Sequence, residues 1–254
     1  MARLRAAGCV FADEEAAALV AATPDPAALE GLVARRVAGE PLETVLGWAE
    51  FCGLRIAVAP GVFVPRRRTG LLVDHAATVL ANASRPVVVD LCCGTGAVGV
   101  AVAAAVGPVE LHAADVDPVA VRCAERNVVP VGGRVHQGDL YDALPAGLRG
   151  RVDLLAVNAP YVPTAAIALM PPEAREHEPR TALDGGADGV GLQRRVAAGA
   201  RRWLAPGGVL LVETSRAQAP LTAAAVTAGG LVAQVLHDDD RDATAVSGTA
   251  PGPR

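Results

Sequence analysis

Residues 157–161 read VNAPY, directly after the apolar run VDLLA. An Asn, a Pro and a Tyr at the end of a run that should be a buried strand have no packing rationale, but they suit a planar NH2 group. The nitrogen of an amide or aromatic amine is a weak nucleophile because its lone pair is delocalised, so it has to be aimed. The side-chain carbonyl of Asn158 and the backbone carbonyl of Ala159 would each accept one of its N–H bonds. Pro160 would stiffen the turn and the ring of Tyr161 would wall one face of the plane. No general base is required, since the proton can leave after the nitrogen has formed its new bond.

A second stretch, VVVDLCCGTGAVG, puts Asp90 at a strand end and Gly94, Gly96 and Gly99 in the turn into a helix. Glycine there lets the backbone approach a ligand, and a helix start offers free N–H groups. The spacing satisfies G-x-G-x-x-G, which alone fits a dinucleotide site, while close packing alone also calls for such glycines. Asp115, about 20 residues on, is placed to take a ribose diol in either kind of site, or simply to cap the helix PVAVRCAERN. Three features favour S-adenosylmethionine over a nicotinamide. Asp90 precedes the glycines within the strand end, Asp139 follows the third strand, and VNAPY, for which hydride transfer has no use, follows the fourth. Methyl transfer to an NH2 nitrogen is therefore expected, with NAD-dependent oxidation or cofactor binding without catalysis as competing readings.

The elements that must position these residues are legible from about Pro86 onward. Apolar runs (PVVVDL, VELHAAD, RVHQGD, VDLLAVN, GGVLLVET) alternate with helical patterns, and LVAQVLH and ATAVSG close the chain. This is the pattern of a doubly wound α/β sheet, whose strands are buried on both faces and whose ligands sit beyond the carboxyl ends of the strands. Asp90, Asp115, Asp139 and Asn158 all fall there. Upstream, residues 12–38 carry two helical patterns split by TPDP, with Thr23 or Asp25 as cap and Pro26 in the first turn. LRIAVA followed by APGV predicts a β-hairpin, and a helix is expected from Thr69 to about Leu80. The expected division is a helical segment plus hairpin over 1–68 and a catalytic domain over 69–254. HDDDRD reads as a solvated turn between the last two strands.

Composition narrows the class further. With 254 residues there is room for one sizeable domain and a short accessory segment. The net charge of −4 argues against a generally basic nucleic-acid surface, and every one of the 23 basic residues is Arg. Five cysteines with no CxxC pair indicate neither a disulfide framework nor a metal site, and a reduced, cytoplasmic setting fits them. The apolar run in MARLRAAGCVFADEE is short for a signal peptide, and no run reaches the length of a membrane span. A soluble protein is expected.

Taken together, GTG with its flanking acids, NAPY, EPRTALDGGADGVGLQRR, LAPGGVLLVE and LGWAEFCGLRIAVAPGVFVPR resemble the protein-(glutamine-N5) methyltransferases of the HemK/PrmC type, which modify a glutamine in bacterial release factors. The likeness runs from about Pro41 to the last strand. It implies a class I S-adenosylmethionine-dependent fold, Rossmann-like, with a mostly parallel seven-stranded sheet. It implies a cofactor held by Asp90, Cys92, Gly94, Gly96, Asp115, Val116, Asp139, Leu140 and Asn158, with Asp115 on the ribose and Asp139 near the adenine. It further implies that Asn158, Ala159, Pro160 and Tyr161 hold the glutamine amide of a protein substrate, such as a translation factor, with no role for a membrane. An adenine N6 or guanine N2 amino group fits Asn-x-Pro-Tyr equally well; the acidic balance and EPRTALDGG weigh against nucleic acid.

The departures from the family pattern carry expectations too. Ala159 replaces the first proline of NPPY, keeping its carbonyl and losing rigidity worth about 0.4–1 kcal/mol. Cys92 stands at a usual glycine. PRRRTG replaces a PRPETE-like run, exchanging carboxylates at the rim for Arg67 and Arg68, and the helical start is short. Weak transfer to release factors, and better transfer to a partner with acids beside its glutamine, are expected on these grounds.

Overall fold

Four short helices open the chain in the computed structural model, which describes residues 1–252: α1 (Ala2–Ala6), α2 (Ala12–Ala22), α3 (Pro26–Val37) and α4 (Leu42–Leu46). The TPDP break works as its residues dictate. The Asp25 carboxylate accepts from the N–H groups of Ala27 and Ala28, and Pro26 fills the first helical position, where an N–H would be idle. Leu4, Leu19 and Val45 give these helices an apolar cluster of their own. Beside it the buried Arg36 is paired with Glu15 at 2.6 Å and reaches across to Glu173 at 3.5 Å.

A hairpin follows, one strand earlier than LRIAVA and APGV predict. β1 (Trp48–Phe51) pairs antiparallel with β2 (Leu54–Ala57). The turn is Cys52-Gly53, both at positive φ (50° and 76°), the geometry a two-residue hairpin loop requires. APGV then leads into an irregular segment rather than a returning strand. Phe51 and Ile56 pack into the main core, so the hairpin shares its interior with the sheet rather than with the helical start.

After α5 (Gly70–Leu80) come β3 (Val87–Leu91), α6 (Ala97–Val106), β4 (Glu110–Asp115), α7 (Pro118–Val128), β5 (Arg134–Gln137), β6 (Val152–Val157), α8 (Pro172–His177), α9 (Gly191–Ala200), β7 (Leu204–Thr214), α10 (Ala219–Ala228), β8 (Val232–Asp238) and β9 (Ala243–Thr249). The sheet has seven strands in the order β5-β4-β3-β6-β7-β9-β8, with β9 antiparallel to both of its neighbours. Alternate residues go to opposite faces: Val88, Leu154 and Leu211 join one core cluster, and Val89, Leu155 and Leu210 the other. Burial on both faces is why these runs are continuously apolar. Strand order reverses between β3 and β6, and a crevice opens at that switch point beyond the carboxyl ends. Among the described residues no helix is long and apolar enough to cross a membrane.

Candidate active site

Asp90, at the end of β3, is only 2% exposed, and its Oδ2 accepts the Gly99 N–H at 2.8 Å. Burial pushes its carboxyl up to about 7, with the Gly99 bond opposing. The three glycines after it have different duties. A Cβ on Gly94 (φ 55°) would meet nothing within 4 Å, and this residue lines the cavity. A Cβ on Gly96 would come within 2.6 Å of Val128, and one on Gly99 within 2.9 Å of Leu111. Gly96, expected at the cofactor, is off the cavity wall; its missing side chain lets the loop pack on α7. Cys92 lines the cavity at φ 57°, and burial pushes its thiol up, so it is not a reactive thiolate.

The ambiguity over Asp115 is resolved by its neighbour. Asp117 caps α7, accepting the Val119 N–H at 2.8 Å. Asp115 instead accepts from Gly94 at 2.9 Å and from Asp117 at 3.0 Å, tying the β3 and β4 loops together at the cavity wall. Burial raises its carboxyl and those two N–H groups hold it back. Val116 and Leu140 also face the cavity, and Asp139 does so while paired with Arg195 at 2.7 Å. The cavity, about 770 Å³, continues from these residues to Asn158, Ala159, Pro160 and Tyr161.

At that far end Asn158 Nδ2 donates to the Thr69 hydroxyl at 3.3 Å, while no described residue hydrogen-bonds its Oδ1. Thr69 is 3% exposed and adjoins the Glu213 carboxyl, which also accepts the Tyr161 hydroxyl at 3.2 Å. Burial pushes Glu213 up, opposed first by Thr69, then by Arg68 and Tyr161, and its Oε2 has no hydrogen-bond partner. A hydroxyl facing a carboxyl turns its proton that way, which leaves its lone pair for an N–H donor. The contact therefore orients Asn158 with its amide nitrogen toward Thr69 and its carbonyl away.

The backbone of this stretch is clamped from outside. Gln218 Nε2 donates to the carbonyls of Tyr161 (2.8 Å) and Asp188 (3.0 Å), and Val162 exchanges backbone hydrogen bonds with Leu183 and Gly185. A Cβ on Gly185 would lie 2.8 Å from the Pro160 carbonyl, and one on Gly189 would lie 2.3 Å from that of Tyr161. The glycines of LDGGADG thus let one loop lie flat on the other.

The sequence reading missed Thr69, Glu178, Glu213 and Gln218. Glu213 carried a usable signal, an acid at the end of an apolar run, the same one that marks Asp90. Glu178, 6% exposed, accepts from the Val64 N–H and from Arg66 at 2.6 Å, bracing the extended segment on the cavity. Arg67 and Arg68 part company: Arg68 lines the cavity and Arg67 does not.

A sheet of this order, with an acid-and-glycine loop on its first parallel strand and an acid on the next, defines a class I S-adenosylmethionine-dependent methyltransferase. Residues 53–170 match the family described as methyltransferase small domain. Over 195 residues the chain is 41% identical to the release factor glutamine methyltransferase of Geobacter sulfurreducens, covering 76% of this chain and 67% of that one. Over 197 residues it is also 41% identical to the 4-amino-L-phenylalanine/4-methylamino-L-phenylalanine methyltransferase of Streptomyces pristinaespiralis, with shares of 76% and 67%. In fold it resembles the T. thermophilus 16S rRNA N2 G1207 methyltransferase, solved with AdoMet and guanosine (TM-score 0.57, 18% identity, 80% of this chain and 49% of that one). The chain belongs to the release factor glutamine methyltransferase family, which displaces the nicotinamide reading.

Proposed function

We propose that this protein transfers a methyl group from S-adenosylmethionine to the side-chain amide nitrogen (N5) of a glutamine in a protein, and that a release factor in the cytoplasm is its substrate, a reading that the similarity to release factor glutamine methyltransferases supports over the weak transfer expected from PRRRTG and the short helical start. The carrying observation is Asn158, which lines the cavity with Ala159 and is fixed through its nitrogen by Thr69, its side-chain carbonyl unclaimed. The other end of the cavity fits the cofactor. Gly94 leaves open space where a side chain would stand, and Asp115, relieved of capping, keeps lone pairs for a ribose diol. Asp139 and Leu140 would flank the adenine, and the bound cofactor would supply the electrophilic methyl group.

The chain's own part is orientation. The Asn158 and Ala159 carbonyls accept the two amide N–H bonds, which aims the nitrogen and draws it toward a tetrahedral shape. The Tyr161 ring, held by Glu213, backs the plane. Once the nitrogen carries its methyl it is acidic enough to lose a proton to water.

One observation favours a second reading, transfer to the aromatic amine of an amino acid: the Streptomyces pristinaespiralis relative is as similar as the Geobacter sulfurreducens one. The same two carbonyls would hold an aniline NH2. Incubation with labelled S-adenosylmethionine and, in turn, a release factor, a nuclease-treated lysate and 4-amino-L-phenylalanine separates the two. Label on a glutamine, located by peptide mass mapping, is the expected result. Label confined to the aromatic amine would replace the first reading with the second, and label removed by nuclease would exclude both.

A further inference from the structure

Four arginines line the cavity: Arg66, Arg68, Arg180 and Arg195. Three are matched by carboxylates, Arg66 with Glu178 at 2.6 Å, Arg195 with Asp139 at 2.7 Å and Arg180 with Asp184 at 3.4 Å. Arg68 is not. The carboxylate oxygen that faces it, Oε1 of Glu213, is 3.8 Å from its Nε, beyond hydrogen-bond length, and already accepts the Tyr161 hydroxyl.

Place and chemistry then specify a ligand. Arg68 lines the same cavity as Asn158, and its Nε lies 3.8 Å from the Glu213 oxygen that accepts the Tyr161 hydroxyl, so it stands at the VNAPY end of that cavity. A guanidinium presents its N–H donors as a rigid planar fork, whose natural complement is a carboxylate held through two parallel hydrogen bonds. Its side chain is 47% exposed, so it can exchange water for such a partner without unfolding anything around it.

We propose that Arg68 forms a carboxylate subsite in the same cavity as Asn158, so that preferred acceptors carry a carboxylate as well as the nitrogen that is methylated. This rests on the methyl-acceptor reading above. The carboxylate has two possible sources, an acidic side chain flanking a glutamine or the α-carboxylate of a free amino acid. Arg67, one residue away and off the cavity wall, has no part in it.

The test titrates two matched pairs into the full chain saturated with S-adenosylhomocysteine, by calorimetry. One pair is a glutamine peptide with flanking Glu or flanking Ala; the other is 4-amino-L-phenylalanine or its carboxamide. The charged member of at least one pair should bind about tenfold or more tightly than its neutral mate, as a charge-assisted bidentate contact implies. In Arg68→Gln that ratio should fall to within about twofold, in Arg68→Lys it should be intermediate, and in Arg67→Gln it should stay at the parent value. The pair that responds identifies the source of the carboxylate. A ratio near one in the parent for both pairs, or a parent-like ratio in Arg68→Gln, would overturn the proposal. Methyl counting on the same acceptors keeps the two ideas apart. Glutamine methylated without charge preference removes the subsite and keeps the function, whereas an Arg68-dependent preference with no methylated glutamine does the reverse.

Discussion

Replacing Thr69 by Val deletes one hydroxyl from a side chain that is 3% exposed, at nearly constant volume. That hydroxyl accepts the Asn158 Nδ2 at 3.3 Å and adjoins the Glu213 carboxyl, which already has one oxygen without a partner. The lost hydrogen bond costs about 1 kcal/mol net, and the poorer solvation of Glu213 brings the loss of stability to about 1–3 kcal/mol. For a chain of this size the melting temperature should fall by about 2–10 °C. The effect on catalysis is separate. Without its anchor the Asn158 amide can turn over and present nitrogen rather than oxygen to the substrate, and lost alignment of that kind costs up to about 10²-fold in rate. Single-turnover methyl transfer should slow by about 10- to 100-fold, while affinity for S-adenosylhomocysteine, proposed to bind around Gly94 and Asp115, stays at the parent value. Thr69→Ser, which restores the hydroxyl, should recover most of the rate. A Thr69→Val enzyme that transfers methyl within about twofold of the parent rate would refute the orientation argument, whatever its melting temperature.

Other parts of the site have their own expected outcomes. Asp115→Ala should weaken S-adenosylhomocysteine by about 1–3 kcal/mol in calorimetry; unchanged affinity would mean that the acid serves only to join two loops. Asp90 is pushed by burial from 3.8 to about 7, so the fold favours its neutral form. Its contribution to stability is complete below 3.8, is lost as pH rises through about 7, and is flat above that. The Tm of the cofactor-free parent relative to that of Asp90→Asn should fall by the same course, and a pH-independent difference would contradict it. Ala159→Pro should leave kcat/KM within about tenfold of the parent, since proline keeps the carbonyl and fixes φ near −65°. Among the described residues the Ala159 N–H makes no turn or loop hydrogen bond that the change would delete. A fall of a hundredfold with the melting temperature and cofactor affinity unchanged would show that this pocket requires alanine.

The sheet was readable because strands buried on both faces leave continuous apolar runs, and the polar residues that end those runs had to be at the crevice. Asn158, Asp90 and Asp115 were found that way, and Glu213 followed the same rule unnoticed. Residues whose duty depends on a distant partner left no local mark. Gly96 matches a ligand-binding motif letter for letter, yet its constraint comes from Val128 on α7. Thr69 and Gln218 look like ordinary polar residues until the chain brings them to Asn158 and Tyr161, 89 and 57 positions away. The hairpin was misplaced because its turn contains Cys52 at φ 50°, a conformation that cysteine's composition statistics do not advertise.

The clamp on Tyr161 has a consequence for how the protein is made. Its carbonyl waits for Gln218, 57 residues later, and its hydroxyl for Glu213, 52 residues later. At about 5–20 residues per second, translation needs about 3–11 s to span the longer gap. The glycine loop, Asp90 and Asp115 lie wholly upstream of both partners. A nascent chain therefore has its glycine loop, Asp90 and Asp115 outside the ribosome seconds before it has the residues that clamp Tyr161.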